Sequence, residues 1–135
     1  MATKDLIVSG KRKTSIAKAH IVDGKGIVTI NNVPYEKLTM LNKLSIEEPL
    51  RIARHELKGL KYDIKVKISG GGHESQIDAA RLAVAKALVA KTKSASLKKA
   101  FEKYDRHLLV ADVRRKEAYK PDDSKARAKR QSSKR

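Results

Sequence analysis

From residue 114 to residue 135 the chain contains no Leu, Ile, Val or Phe. A segment without bulky apolar side chains cannot bury enough surface to offset the entropy lost in ordering its backbone, so it joins no hydrophobic core. Whatever folds must be built from the first 113 residues. Those carry all 12 Leu, 10 Ile and 9 Val and the single Phe, spread almost continuously from Leu6 to Val113. That content supports a modest core in one small domain. The expected organisation is a globular domain over residues 1–113 and an extended tail over residues 114–135, disordered when free.

Charge narrows the partner. The sequence holds 32 Lys+Arg against 15 Asp+Glu, a formal net charge of +17. Ten of those cations lie in the tail, at Arg114, Arg115, Lys116, Lys120, Lys125, Arg127, Lys129, Arg130, Lys134 and Arg135, against only Glu117, Asp122 and Asp123. Self-repulsion keeps such a segment open until a polyanion neutralises it. Fully extended at roughly 3.3 Å per residue, the tail reaches about 70 Å. Nucleic acid is the first partner to expect and an anionic membrane surface the second. Membrane binding needs bulky apolar residues opposite the cations, which the tail lacks. The absence of Cys excludes disulfide frameworks, Cys-ligated zinc and thiol catalysis together. The most apolar stretch, residues 82–90, is short and interrupted by Lys86. No targeting or spanning segment is expected, and a soluble, cytoplasmic protein follows.

Within the domain, Leu6, Ile7 and Val8 read as a strand. Asp23-Gly24 between the apolar runs at 16–22 and 27–30 is a hairpin signal. Tyr62, Ile64, Val66 and Ile68 alternate strictly with Asp63, Lys65, Lys67 and Ser69, which predicts a strand with one buried face and one wet or bound face. Ser45-Ile46-Glu47-Glu48 has the form of a capping box, with Pro49 in the first turn and Gly59 as the stop. Ile46, Leu50, Ala53, Leu57 and Leu60 would form that helix's apolar stripe. A long helix is expected over residues 75–91, with Ile77, Ala80, Val84 and Leu88 inward. A shorter one would bury Leu97, Ala100, Phe101, Tyr104 and Leu108, capped at Ser94 or Ser96. The order of strands, helix, strand and two helices is that of an α+β or mixed α/β fold, a small mixed sheet with helices packed on one face.

Chemistry has two candidate locations outside the tail. Gly10-Lys11-Arg12-Lys13-Thr14 gathers Lys11, Arg12 and Lys13 beside a glycine at which a ligand could approach the backbone. It reads as a phosphate-gripping turn or as a solvated hairpin, and the strongly basic chain favours the former. Gly70-Gly71-Gly72 fits neither the P-loop pattern nor the dinucleotide pattern, and a tight strand-to-helix turn is the better reading. His20, His55, His73 and His107 lack metal-ligand spacing, and Asp105-Arg106-His107 serves no obvious Ser or Cys nucleophile. No catalytic site, metal or cofactor is expected. The remaining rivals are a DNA-compacting protein with equal affinity for duplex DNA, and a basic-tailed enzyme with a pocket of perturbed titratable groups.

Several separate motifs carry a resemblance to a known family. Gly10-Lys11-Arg12-Lys13-Thr14-Ser15-Ile16-Ala17 resembles the N-terminal signature of the universal S-nine family of small-subunit ribosomal proteins. Ile30-Asn31-Asn32-Val33-Pro34 resembles its Ile-Asn-Gly-Xaa-Pro, and Ser69-Gly70-Gly71-Gly72 leads through Gln76 into an Ala-rich helix as in that family. Tyr104-Asp105-Arg106-His107-Leu108-Leu109-Val110-Ala111-Asp112 followed by Arg114-Arg115 resembles the archaeal and eukaryotic branch, and the chain reads as an archaeal-type member. The resemblance implies a fold like the second domain of ribosomal protein S-five. It also implies a place in the head of the small ribosomal subunit, on the 3′ major domain of its ribosomal RNA beside neighbouring ribosomal proteins. Lys11, Arg12, Lys13, Arg114, Arg115, Lys116, Lys120, Arg127, Lys129 and Arg130 would then meet that RNA. Lys134 and Arg135, at the tail's end, would approach the anticodon stem-loop of the peptidyl-site tRNA.

Overall fold

Strict alternation along Tyr62–Ser69 makes a strand whose inner residues Ile64 and Val66 are buried while Lys65 and Lys67 are exposed. That strand occupies the middle of the sheet. The computed structural model describes residues 5–130 and 132–134. In chain order they form β1 (Leu6–Arg12), β2 (Ser15–Asp23), β3 (Val28–Ile30), β4 (Val33–Pro34), a 3-10 turn (Tyr35–Lys37), α1 (Met40–Glu56), β5 (Tyr62–Ser69), α2 (His73–Thr92), α3 (Ala95–Tyr104) and a second 3-10 turn (Arg106–Leu108). The spatial order is β1-β2-β5-β3-β4. β5 runs antiparallel to β2 and parallel to β3, so the sheet is mixed. Ala17, Ala19, Ile21, Val28, Ile30, Ile64 and Val66 point from it into the core. α2 lies across β1, β2 and β5, α1 packs on α2, and α3 packs on α1. The fold is α+β with its helices on one face of a small mixed sheet.

Asp23-Gly24 does not close a hairpin. β5 separates β2 from β3, and the connecting loop passes over the start of β5. Asp63 fastens the loop there, its Oδ1 accepting the backbone N–H groups of Lys25 (2.8 Å), Gly26 (2.9 Å) and Ile27 (2.9 Å). The tight turns are elsewhere, at Lys13-Thr14 between β1 and β2 and at Asn31-Asn32 between β3 and β4. Asn31 and Asn32 both have positive φ, 48° and 67°, which matches the twist of a two-residue hairpin. Asn31 also prolongs the β3–β5 pairing, its side-chain oxygen accepting the Ile68 N–H at 2.9 Å.

α1 starts at Met40, ahead of the expected capping box. Ser45 therefore lies inside the helix, where its hydroxyl donates to the Leu41 carbonyl, and Pro49 lies in the interior as well. The buried stripe of Ile46, Leu50 and Ala53 extends back to Asn42, a polar residue beside His73 Nε2 at 3.3 Å. Apolar periodicity cannot reveal a first turn buried through an amide. Leu57 and Leu60, expected to continue the stripe, follow the helix end and still pack against the core. α3 is capped by Ser94, whose hydroxyl accepts the Leu97 N–H, and buries Leu97 and Phe101. Tyr104, expected inward, is 58% exposed because the helix ends there and Leu108 enters the core from the following turn.

α2 is buried on more than the one expected face, for it is sandwiched between the sheet and α1. Ala79, Ala83, Ala85 and Ala87 are buried with Ile77, Ala80, Val84 and Leu88. The small side chains let β1 pass close beneath the helix. At Gly10 an added Cβ would lie 2.6 Å from the Ala79 carbonyl oxygen, so this glycine serves helix packing rather than a ligand's approach.

Candidate nucleic-acid interface

The end of β1 and the beginning of the tail are far apart in sequence and adjacent in space. They meet at Asp112. Its carboxylate accepts the Arg114 backbone N–H at 2.9 Å and the Arg114 guanidinium at 2.7 and 2.9 Å, and Arg12 of β1 reaches it from the other side. Arg114 first, then Arg12, holds Asp112 well below the usual carboxylate range, and Asp112 in turn raises Arg114. Arg12 also approaches Asp78 of α2 at 3.6 Å. β1, α2 and the tail root are thus joined through one arginine. A neighbouring network continues the pattern, with Arg81 of α2 pairing with Glu48 of α1 and with Asp105 at 3.1 Å. Burial alone would raise Asp105, but the His107 N–H and Arg81 outweigh it and lower it.

The expected RNA-binding cations fall into three groups. Arg12 and Arg114 are engaged at Asp112, beside a cavity of about 200 Å³ that Lys11, Arg81 and His107 also line. Lys13, Arg114, Arg115 and Lys116 line a second cleft together with Thr14, and no carboxylate lines it. Lys13, Arg115 and Lys116 are exposed, and Lys116 stands 4.8 Å over the Tyr119 ring. Farther along the tail Lys120, Arg127 and Lys129 surround Glu117 and Asp123, with Arg127 paired to Glu117 at 2.9 Å. Asp123 accepts the Arg130 N–H at 3.1 Å, which gives one of the tail's acids a backbone role. The described tail residues lie in no helix or strand and are largely exposed. Lys134 is exposed, while Arg135 lies outside the described residues.

The glycine run is a turn. Gly70 and Gly71 have positive φ, 76° and 67°, and buried Ser15 ties the turn to β2 by donating to the Gly70 carbonyl at 2.9 Å. Ser75 Oγ accepts the Gly72 N–H at 3.1 Å, closing the start of α2. Among the described residues no group of His, Asp and Glu could hold a metal ion, and no helix is long and apolar enough to cross a membrane. What the site offers is a cationic surface of lysine and arginine with hydroxyls at its edge, suited to phosphates.

Residues 10–135 match the protein-family model described as Ribosomal protein S9/S16. The chain belongs to that family. A protein of Thermoplasma acidophilum named small ribosomal subunit protein uS9 is 47% identical over 131 residues, which span 95% of this chain and 98% of that one. Its namesakes in Thermoplasma volcanium and Halobacterium salinarum are 44% and 43% identical over 131 and 126 residues, or 95% and 93% of this chain and 96% and 95% of theirs. The S9/S16 match begins at Gly10, the residue on which α2 packs, and runs through the tail.

Two features of this S9/S16 chain escape a reading of the sequence. Asp112 shows as one acid between apolar and basic neighbours, and only the fold brings Arg12 to it across 100 residues. Lys18 of β2 shows no partner along the chain, yet the register sets it opposite Lys67.

Proposed function

We propose that this chain is a structural constituent of the small ribosomal subunit in the cytoplasm, and not an enzyme. Its domain and tail bind the 3′ major domain of the small-subunit ribosomal RNA, within the head and beside other ribosomal proteins. The carrying observation is the cleft where Lys13 of the hairpin meets Arg115 and Lys116 of the tail, with Arg114 held in its wall by Asp112 and no carboxylate lining it. Lysines and arginines grip phosphates without reading bases, so this surface recognises RNA by shape and backbone. Lys11 extends the surface along β1, while Arg12 and Arg114 set the direction in which the tail departs. Lys120, Arg127, Lys129 and Arg130 follow the RNA, and Lys134 and Arg135 reach the anticodon stem-loop of the peptidyl-site tRNA. A terminal guanidinium forks onto a phosphate with two charge-assisted bonds and holds any tRNA alike.

The test is a salt titration of binding by the full chain, and by a chain ending at Val113, to structured 3′-domain ribosomal RNA and to a DNA duplex of equal length. With six to ten phosphates engaged, full-length affinity falls by roughly 10³ to 10⁵ between 50 and 200 mM salt, taking duplex DNA as the guide. A preference for the RNA that survives truncation supports a domain that finds the site and a tail that adds grip. Equal affinity for both polymers, abolished by truncation, would leave a generic polycation and overturn the proposal.

A further inference from the structure

The face of the sheet turned away from the helices carries charges that its own pairing sets against one another. Lys65 lies on that face opposite His20, and beside it Lys18 of β2 and Lys67 of β5 are direct cross-strand partners. Side chains so placed have Cβ atoms about 5 Å apart, where like charges destabilise a sheet. Lys18, Lys65 and Lys67 are all exposed, and among the described residues none has a carboxylate within 4.0 Å. The acids that share this face among the described residues, Asp5 and Asp63, have other partners than these lysines. Asp5 stands 3.4 Å from His20, and Asp63 is occupied by three loop N–H groups.

Exposed lysines on a sheet often protect an edge strand from pairing with another chain. That explanation fails here, because β2 and β5 are interior strands of the order β1-β2-β5-β3-β4. A local rule broken without internal compensation marks a site whose compensation comes from a partner. Around the lysines the same face presents the hydroxyls of Ser9, Thr29 and Ser69, in register with Lys18, Lys65 and Ile16. Ile7 and Ile16 lie on it as well, 66% and 40% exposed. Cations ringed by hydroxyls on a broad open surface suit the wide, shallow minor groove of an A-form helix, which displays phosphates and 2′-hydroxyls.

We infer that this open sheet face is a second RNA-docking surface, separate from the hairpin and tail cleft, on which Lys18, Lys65 and Lys67 take backbone phosphates of a ribosomal RNA helix. The inference rests on the ribosomal reading above and adds a surface to it. It is tested on the full chain by Lys18→Gln with Lys67→Gln, measured against 3′-domain ribosomal RNA across a salt series. The control is Lys98→Gln with Lys99→Gln, an equal loss of charge on exposed positions of α3. Two lost phosphate contacts make the log–log salt slope shallower by about two. Between 50 and 200 mM salt the wild type then loses about tenfold more affinity than the sheet-face variant. The free sheet-face variant unfolds at a denaturant midpoint equal to or above that of the wild type, because repulsion has been removed. An unchanged slope, an equal change in the control, or a binding loss matched by a lower midpoint would each overturn the inference. Unchanged RNA binding with failed entry into reconstituted subunits would assign the face to an acidic protein and overturn it as well. A wild type that binds duplex DNA as tightly as the RNA would overturn the ribosomal reading itself.

Discussion

Replacing Gly10 with alanine adds one methyl group where β1 and α2 are closest. The new Cβ would sit 2.6 Å from the Ala79 carbonyl oxygen and 2.7 Å from the Ala83 nitrogen. Both are backbone atoms, so no rotamer change makes room and no second-site glycine in α2 relieves the clash. Ordinary contact begins near 3.4 Å, and the helix must therefore retreat by about 0.8 Å. A gap of that size forfeits a quarter to a half of the dispersion attraction across the opened contacts, here those over Ala17 and Ala19 of β2. Overpacking alone costs roughly 1–3 kcal/mol, and the rigidity of both partners places this site at the upper end. The stiffer alanine backbone returns about 0.4–1 kcal/mol through the unfolded state. A net loss of about 2 kcal/mol remains, which lowers Tm by roughly 10 °C for a domain of this size. Urea and thermal unfolding of the Gly10→Ala chain read the effect directly. Gly72→Ala is the control, since an added Cβ there meets nothing within 4 Å. A Gly10→Ala chain within about 0.5 kcal/mol of wild type would refute the packing of β1 beneath α2.

Asp63→Ala leaves the Lys25, Gly26 and Ile27 N–H groups without their shared acceptor and lowers unfolding free energy by about 1–2 kcal/mol, measured in urea at neutral pH. Those same N–H groups, Ile27 foremost, hold Asp63 below its ordinary value of 3.8. Its contribution is therefore present above that value and lost as pH falls through the lower folded one. Asp63→Asn should make the fall of stability below about pH 4 less steep, with the lowered Asp105 and Asp112 still contributing to it, and an unchanged acid limb would refute the role. Asp112→Asn should release the tail root and speed tryptic cleavage after Arg114 and Arg115 while the domain's near-UV spectrum stays unchanged. Equal cleavage rates in mutant and wild type would show that Asp112 does not fasten the tail.

What the chain revealed in advance divides by the range of the interaction. The alternation at Tyr62–Ser69 and the Ser94 cap depend on neighbours within a few residues, and both appear where the sequence places them. The cationic tail is a matter of composition. Asp23-Gly24 carried a local turn signal, yet the strand that intervenes lies some 40 residues onward, so local grammar was overruled by topology. Ser45 through Glu48 spelled a cap inside a helix whose true first turn is buried by Asn42. Within the candidate site, the cations could be listed from residue type alone. Which of them are neutralised by Asp112, and which form an open cleft, depended on contacts between β1, α2 and residue 112 that no spacing encodes.

β5 has one more consequence, and it concerns the order of synthesis. Until residue 69 has left the ribosome that is making the chain, the hairpins β1–β2 and β3–β4 share no ladder. Each alone is a two-stranded ribbon, marginal in water. The nascent segment must therefore wait, basic and unpaired, beside a machine made largely of RNA. Arrival of the central strand then joins both hairpins in one step, with α2 following directly behind to cover them.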